Sequence, residues 1–177
     1  MEFSIRPVEI GDGKGINALR RMPGVFENIL GIPSERVKRN EDFIANMESN
    51  QHQLVAVTKA ENGEELIIGT AGLTVNANHR TRHSGSIGIM IHKDYQNMGI
   101  GTALMKALLD ITDNWLMLVR VELEVFEDNE RAIRFYEMFG FEIEGLKRFA
   151  GIKNGRYENE YLMARINPTY SKWICGS

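Results

Sequence analysis

The run Tyr95-Gln96-Asn97-Met98-Gly99-Ile100-Gly101-Thr102 connects an apolar stretch, residues 87–91, to an amphipathic helical pattern. Two glycines in the spacing G-x-G let the backbone approach a ligand closely and adopt conformations that a side chain disfavours. A helix that begins at this point directs its unpaired N–H groups, and the positive end of its dipole, toward an anion. The run therefore predicts a binding site for a phosphate group.

The glycine spacing alone leaves two interpretations open, because a tight strand-to-helix turn without a ligand also needs glycine. Two common phosphate motifs are excluded. A dinucleotide site has the pattern G-x-G-x-x-G, whereas Leu104 stands three residues after Gly101, and the chain contains no P-loop pattern G-x-x-x-x-G-K-[ST]. The remaining option is a phosphate-containing ligand that is bound through neither of these two motifs.

Residues 96–101, Gln-Asn-Met-Gly-Ile-Gly, resemble the pyrophosphate loop [QR]-x-x-G-x-[GA] of the GNAT N-acetyltransferase superfamily at every fixed position. A second run, Asp128-Asn129-x-x-Ala132-Ile133-x-Phe135-Tyr136-x-x-Phe139-Gly140-Phe141, is similar to a helix and the following strand of that family. The resemblance extends from Ile5 to Arg165. Three further runs are similar to the bacterial YhhY-type amino-acid acetyltransferases, namely residues 113–116 (DNWL), 141–145 (FEIEG) and 161–165 (YLMAR).

Length and composition are those of one globular domain. The chain has 177 residues, of which 43% are hydrophobic and 25% charged. We expect a single domain over residues 1–167 and a C-terminal tail over 168–177. No apolar run approaches the roughly 20 residues that span a bilayer, and the N-terminus lacks a signal-peptide pattern, so a cytoplasmic location is expected.

Charge and cysteine content argue against several partners. The formal net charge of -3 gives no positive field that would attract nucleic acid or an anionic membrane. The one cysteine, Cys175, lies near the end of the chain and has no internal disulfide partner. The spacing of His79 and His83 matches no zinc pattern, so we expect no metal.

The order of strand and helix patterns predicts an α/β fold in which a mixed, mostly antiparallel central sheet is flanked by helices. This is also the fold that the GNAT resemblance implies. Strands are expected at residues 3–6, 54–58, 66–75, 86–91, 119–125, 141–149 and 157–166. The Asn-Gly pairs at residues 62–63 and 154–155 predict two β-hairpins.

Helices are expected on both sides of the glycine run. Ser34 is a plausible N-cap for a helix that extends to about Ser49, with Phe43, Ile44 and Met47 on one face. After the run, Leu104, Leu108, Ile111 and Trp115 form an apolar stripe. Asp128 is the expected N-cap of the last helix, and Gly140 its end.

The resemblance implies acetyl-CoA as the cofactor. The loop would bind its pyrophosphate, and the preceding strand would bind its pantetheine arm. Two residues of the last helix would each add one contact. The implied residues are Gln96, Asn97, Met98, Gly99, Ile100, Gly101 and Thr102 in the loop, Ile89, Met90 and Ile91 in the strand, and Asn129 and Ala132 in the helix. A backbone N–H of the strand can also donate to the oxyanion. Taken alone, Asn129 is equally a capping residue.

Tyr136 stands where the family places the residue that protonates the departing thiolate. A phenol with an ordinary pKa near 10 suits a thiolate whose thiol has a pKa near 8.5. The general base is open, because Ser86 stands where related sequences carry an acid, and serine accepts no proton at neutral pH. The candidates are His83, Glu122, Glu124 and bulk water.

The acceptor site that the resemblance implies includes Phe26, Arg80, Arg82, His83 and Ser86. Forked hydrogen bonds from an arginine suit an acceptor carboxylate. We expect an acetyl-CoA-dependent N-acetyltransferase of a primary amine, most simply a free amino acid, acting by direct attack in a ternary complex. The alternatives are an acetyltransferase of peptide N-termini and a non-catalytic acyl-CoA sensor. A homodimer is expected by family analogy.

Overall fold

The computed structural model describes residues 2–170, so Cys175 and most of the expected tail lie outside the described residues. Within that range the chain forms seven strands and four α-helices. The strands are β1 Ser4–Pro7, β2 Gln51–Lys59, β3 Glu65–Val75, β4 Ser84–Ile91, β5 Arg120–Phe126, β6 Glu142–Lys153 and β7 Arg156–Ile166. The helices are α1 Gly13–Arg20, α2 Val37–Ala45, α3 Ile100–Asp110 and α4 Glu130–Glu137.

The strand order is β1-β2-β3-β4-β5-β7-β6. β4 and β5 run parallel, whereas β1–β2, β2–β3, β5–β7 and β6–β7 are antiparallel pairs. The mixed, mostly antiparallel sheet that the sequence predicts is therefore confirmed. No helix within the described part of the chain is long and apolar enough to cross a bilayer.

The chain divides into two compact units. The first comprises the residues up to Thr74 together with Gly88–Asp110, and the second comprises Val75–Ile87 and the residues from Ile111 onward. Strand β4 contributes its first residues to the second unit and its last residues to the first. The single-domain boundary at residue 167 stays a prediction.

The core of the first unit lies between α1 and strands β2 and β3. Its buried members are Ile16, Leu19, Val25, Ile44, Val55, Val57 and Ile67. Gly69 of β3 allows β4 and α3 to pack closely, because a Cβ there would lie 2.9 Å from Ile91 Cδ1 and 3.0 Å from Leu104 Cδ1. A larger residue at Gly69 would force the side chains of Ile91 and Leu104 to move.

The second unit confirms the alternation expected for β5. Val121, Leu123 and Val125 are buried and the residues between them are more exposed. Strand β6 is irregular, since its pairing with β7 shifts between Lys147 and Gly151. Within this bulge the Phe149 N–H donates to Asn159 Oδ1 at 3.0 Å. Both Asn-Gly hairpins form, with Gly63 and Gly155 at positive φ.

A buried carboxylate fixes the chain between α1 and α2. Glu35 accepts hydrogen bonds from Arg20 Nε at 2.6 Å, Arg20 Nη2 at 3.1 Å, Arg39 Nη1 at 3.1 Å and Asn40 Nδ2 at 3.0 Å. Asn17 Nδ2 donates to its backbone carbonyl at 3.1 Å. Burial alone would raise the pKa of Glu35, but the bonds from Arg20 and Asn40 hold it below its ordinary value.

This network explains why the expected start of α2 is wrong. The helix begins at Val37 after Arg36, not after Ser34, because Glu35 is held in a non-helical position by its partners on α1. The helix is also shorter than expected and ends at Ala45. Of its predicted apolar face, Ile44 is buried whereas Phe43 is largely exposed.

Two other helical expectations are wrong at single residues. α3 is followed by one π-helical turn, Ile111–Trp115, in which the Leu116 N–H donates to the Ile111 carbonyl, five residues back. The wider turn rotates Trp115 away from the apolar stripe, and its side chain is 77% exposed. The N-cap of α4 is Asn129, not Asp128, whose carboxylate instead pairs with Lys153 Nζ at 2.8 Å.

We expect the Glu35→Ala substitution to lower the free energy of unfolding by about 3 kcal/mol, because it leaves the part-buried Arg20 and the buried Asn40 without the carboxylate that they bind. Equilibrium urea unfolding measures this. Lys38→Ala is the control, since it removes only a solvent-exposed pair with Asp42 and should change the stability little.

The same carboxylate predicts a pH dependence. Because the folded-state pKa of Glu35 is lowered, its contribution is complete above the unfolded value of 4.5 and is lost as pH falls through the folded value. Acid should therefore destabilise the wild type more steeply than Glu35→Gln. Parallel acid unfolding curves for the two proteins would contradict the assignment.

Candidate active site

The glycine run lies in the first unit, between β4 and α3. A short 3-10 helix, Lys93–Tyr95, follows β4, and Gln96 Nε2 then donates to the Ile91 carbonyl at 3.2 Å. Asn97 and Gly99 have φ values of 62° and 81°. Gln96 thus fixes the start of the loop, and Gly99 supplies a left-handed conformation that a larger residue adopts only with strain.

The start of α3 leaves backbone donors available. Its first helical hydrogen bond runs from the Ala103 N–H to the Gly99 carbonyl at 2.9 Å. The N–H groups of Ile100, Gly101 and Thr102 precede that bond, and no acceptor within residues 2–170 meets them. Such donors at the positive end of a helix suit an anion. The loop therefore fits a diphosphate.

The strand before the loop uses its side chains for packing. Ile89, Met90 and Ile91 are half-buried, and Met90 packs against the core of the first unit. Side chains committed in this way leave the backbone of β4 as the part that is able to bind a ligand. A contact of this backbone with the pantetheine arm stays a prediction.

Tyr136 lies on α4 in the second unit. Its side chain is packed edge-on against Phe135 and Phe141, with ring centroids 5.6 and 5.9 Å away, and the residue is only 7% exposed. Burial raises the pKa of its phenol to about 12. The phenol is thus protonated at any working pH and able to donate a hydrogen bond.

The hydroxyl of Tyr136 is still accessible. It has no hydrogen-bond partner within the described residues. Among the buried side-chain polar atoms of those residues, only His52 Nε2 lacks both a partner and contact with solvent, so the Tyr136 oxygen is not such an atom. The Tyr136 oxygen therefore retains contact with solvent while its ring is enclosed. Such a hydroxyl fits a general acid, which has to reach the atom that it protonates.

The N-terminus of α4 is capped by a side chain. Asn129 Oδ1 accepts from the Ala132 N–H at 3.2 Å, so the capping interpretation of Asn129 holds. The Nδ2 group of Asn129 takes no part in this bond and is a hydrogen-bond donor. A cofactor contact by Asn129 or Ala132 stays a prediction.

The candidate bases lie in the second unit. Ser86 is exposed and is the Cα partner of Glu122 in the parallel pairing of β4 with β5. Glu122 accepts from Arg120 Nε at 3.0 Å, and Glu124 from Lys147 Nζ at 2.7 Å. Each carboxylate is thus already paired with a cation, and the general base stays unassigned.

One carboxyl at this face was missed from the sequence. Glu160 of β7 is the Cα partner of Phe126 and is only 4% exposed. Burial, and then the hydrogen bond and charge of Glu124, raise the pKa of Glu160 above its ordinary value. Period-two alternation along β7 places Glu160 and Leu162 on one face, but no local pattern indicates that this face is covered.

The expected acceptor residues are divided between the units. Phe26 begins the 3-10 helix Phe26–Asn28 of the first unit and is half-buried. Arg80, Arg82 and His83 lie in an exposed turn of the second unit, where the His83 carbonyl accepts from the Val119 N–H at 2.8 Å. Their assembly into one acceptor pocket stays a prediction.

Comparisons with known proteins agree on one family. The sequence model described as the acetyltransferase (GNAT) family matches residues 25–141. The L-amino acid N-acetyltransferase AaaT of Escherichia coli is 33% identical over 165 residues, which cover 93% of this chain and 98% of that protein. The spermidine N(1)-acetyltransferase of E. coli is 28% identical and covers 94% of this chain and 87% of that protein.

Solved structures share the fold. An acetyltransferase of the GNAT family from Streptococcus pneumoniae aligns with a TM-score of 0.77 at 26% identity, covering 93% of this chain and 99% of that chain. Spermidine N-acetyltransferase from Vibrio cholerae, in complex with CoA and spermine, aligns with a TM-score of 0.79 at 24% identity, covering 95% and 97%. The fold expected from the sequence is confirmed.

We expect Gly99→Asp to abolish coenzyme A binding. The substitution forces a residue with a side chain into φ 81° and places a carboxylate beside a diphosphate; like charges at such a contact cost several kcal/mol, about 100-fold or more in affinity. Isothermal titration calorimetry measures the loss. Gly63→Asp is the matched control, because Gly63 has the same φ of 81° and open space around it but lies in a distant hairpin turn. Equal affinity losses in both variants would contradict a phosphate role for the loop.

Proposed function

Since the chain belongs to the acetyltransferase (GNAT) family, we propose that its acceptor is a free amino acid, whose α-amino group receives the acetyl group. The protein is an N-acetyltransferase that uses acetyl-CoA and acts on an amine. The observation that carries the choice of acceptor is the 33% identity to an L-amino acid N-acetyltransferase over 93% of this chain.

The chemistry assigned to the chain uses the donors described above. Acetyl-CoA supplies the thioester whose acetyl group moves to the amine. The N–H groups of Gly101 and Thr102 bind a diphosphate, and the backbone of residues 89–91 binds the pantetheine arm. An N–H of that strand donates to the carbonyl oxygen as negative charge develops on it, a contribution of about 2.7–4 kcal/mol in other enzymes. As the C–S bond breaks, the Tyr136 hydroxyl protonates the departing thiolate; the proton that the amine loses as the C–N bond forms passes to solvent, and solvent reprotonates the phenol.

A polyamine is the second candidate acceptor. Glu122 and Glu124 lie on one face of β5, and the cations that they contact are Arg120, which also binds Glu144, and Lys147. Three carboxylates of the described chain thus share two cations, and such surplus negative charge favours a cationic substrate. Relatives named as spermidine acetyltransferases support this alternative.

A homodimer is also proposed, with the β6–β7 hairpin as its surface. Phe149, Ile152 and Tyr157 are exposed there, and the rings of Phe149 and Tyr157 are in edge contact at 6.2 Å. Exposed apolar residues grouped in this way are typical of a protein interface. The cytoplasmic location expected from the sequence stays a prediction.

A panel of amines tests the acceptor. The release of coenzyme A thiol from acetyl-CoA is measured with a chromogenic disulfide reagent. We expect release with at least one L-amino acid, and a higher kcat/KM for that amino acid than for spermidine or a tripeptide. Turnover with spermidine alone would favour the polyamine candidate. Coenzyme A binding by calorimetry without thiol release from any amine would make the protein a sensor instead.

We expect Tyr136→Phe to lower kcat by about 100-fold, the lower end of what a general acid contributes, and to leave the Kd for coenzyme A unchanged. Phenylalanine preserves the ring packing against Phe135 and Phe141 and removes only the hydroxyl. Steady-state kinetics and calorimetry on the same preparation measure the two quantities. An unchanged kcat would remove Tyr136 from the acid role.

The raised pKa adds a pH signature. The protonated phenol is the active form, and its pKa of about 12 lies above the ordinary tyrosine value of 10.0. Ionisation of Tyr136 should therefore cause no decline of kcat between pH 9 and about pH 10.5 at saturating acceptor. A decline with its midpoint near 10 that is absent in Tyr136→Phe would contradict the enclosed position of the ring.

A further inference from the structure

Two of the sequence runs that resemble YhhY-type enzymes have no part in the chemistry above, yet the structure joins them. Arg165, in the run 161–165, donates from Nη1 to Asp113 Oδ1 at 2.9 Å and from Nη2 to Asp113 Oδ2 at 2.7 Å. Asp113 belongs to the run 113–116. Arg165 is 8% exposed, so this forked ion pair is largely shielded from water.

The third donor position of Arg165 points to the helix that carries Tyr136. Arg165 Nε donates to the Phe139 carbonyl at 3.1 Å, just beyond the end of α4. The Phe139 N–H donates to the Tyr136 carbonyl at 2.9 Å, and the Phe141 N–H to the same carbonyl at 3.2 Å. Arg165 therefore connects to the backbone of Tyr136 through one intervening residue.

Asp113 is itself held in an unusual backbone. It lies in the π-helical turn Ile111–Trp115, and Thr112 Oγ1 donates to its Oδ1 at 3.1 Å. π-Helical turns are rare and occur frequently at functional sites. Since the guanidinium group is planar, a carboxylate fixed on two of its nitrogens also fixes the direction in which Nε points.

We propose that Arg165, oriented by Asp113, is a positioning residue that sets the place of the Tyr136 hydroxyl. The hydroxyl has no hydrogen-bond partner of its own within the described residues, so its place is determined by the ring contacts and by the backbone of α4. α4 has only eight residues, and Arg165 anchors its C-terminal end. This inference rests on the acid role proposed for Tyr136.

A double-mutant cycle between Arg165→Lys and Tyr136→Phe tests the proposal. Lysine keeps the positive charge beside Asp113 but does not reproduce three directed N–H bonds. We expect Arg165→Lys to lower kcat by about tenfold, as misplacement of a reacting group does, with the KM for acetyl-CoA unchanged within about twofold. In the Tyr136→Phe background the same substitution should change kcat by less than about twofold.

The matched control is Arg6→Lys. Arg6 makes an equally forked pair with Asp12, at 2.8 and 2.9 Å, in the first unit and not in the unit that contains α4, so its replacement should leave kcat unchanged. Thermal melting checks that each variant is folded at the assay temperature. If Arg165→Lys is not, Asp113→Asn takes its place in the cycle, because the amide retains the shape of the carboxylate and removes its charge.

Three outcomes are distinguishable. A kcat loss that vanishes in the Tyr136→Phe background supports the positioning role. A loss of equal size in both backgrounds, or no loss in Arg165→Lys, overturns it while Tyr136 keeps its own role. If Tyr136→Phe alone has wild-type kcat, the acid role itself fails, and the positioning role fails with it.

Discussion

Three backbone N–H groups at the start of α3 cannot be paired by the helix that begins there, and the placement of a ligand depends on them. Their position is set by a short series of local constraints. Gln96 binds the Ile91 carbonyl, Gly99 turns the chain in a left-handed conformation, and Gly69 lets β4 and α3 approach β3 closely. A diphosphate is the ligand that we assign to these donors, because such groups at a helix start suit an anion.

We assign the proton-donating step to the second unit. Burial raises the pKa of Tyr136, whereas the β5 carboxylates Glu122 and Glu124 pair with Arg120 and Lys147. Glu160 is the exception, since burial and the neighbouring Glu124 favour its protonated form. The second unit thus contains two groups whose protonated form is favoured, Tyr136 on α4 and Glu160 on β7, together with the ion pairs of β5.

Features governed by local physics were predictable from the sequence. The Asn-Gly hairpins form at Gly63 and Gly155, the alternation of β5 is confirmed, and the glycine run does join a strand to a helix. The failures have non-local or irregular causes. Ser34 does not cap α2 because Glu35 is bound by Arg20, fifteen residues away, and Trp115 leaves the apolar stripe because a π-turn changes the helical period. The pair of Asp113 and Arg165 spans 52 residues, which no periodic pattern encodes.

The bulge in β6 has a consequence for the chain in concentrated solution. β1 and β6 are the outer strands of the order β1-β2-β3-β4-β5-β7-β6, and outer strands are templates for uncontrolled strand addition by other molecules. β1 is four residues long and ends at Pro7, which has no N–H to offer. β6 is long, but its pairing register with β7 shifts between Lys147 and Gly151, where the strand bulges. Neither outer strand is therefore a long, regular edge, which disfavours strand addition by other molecules.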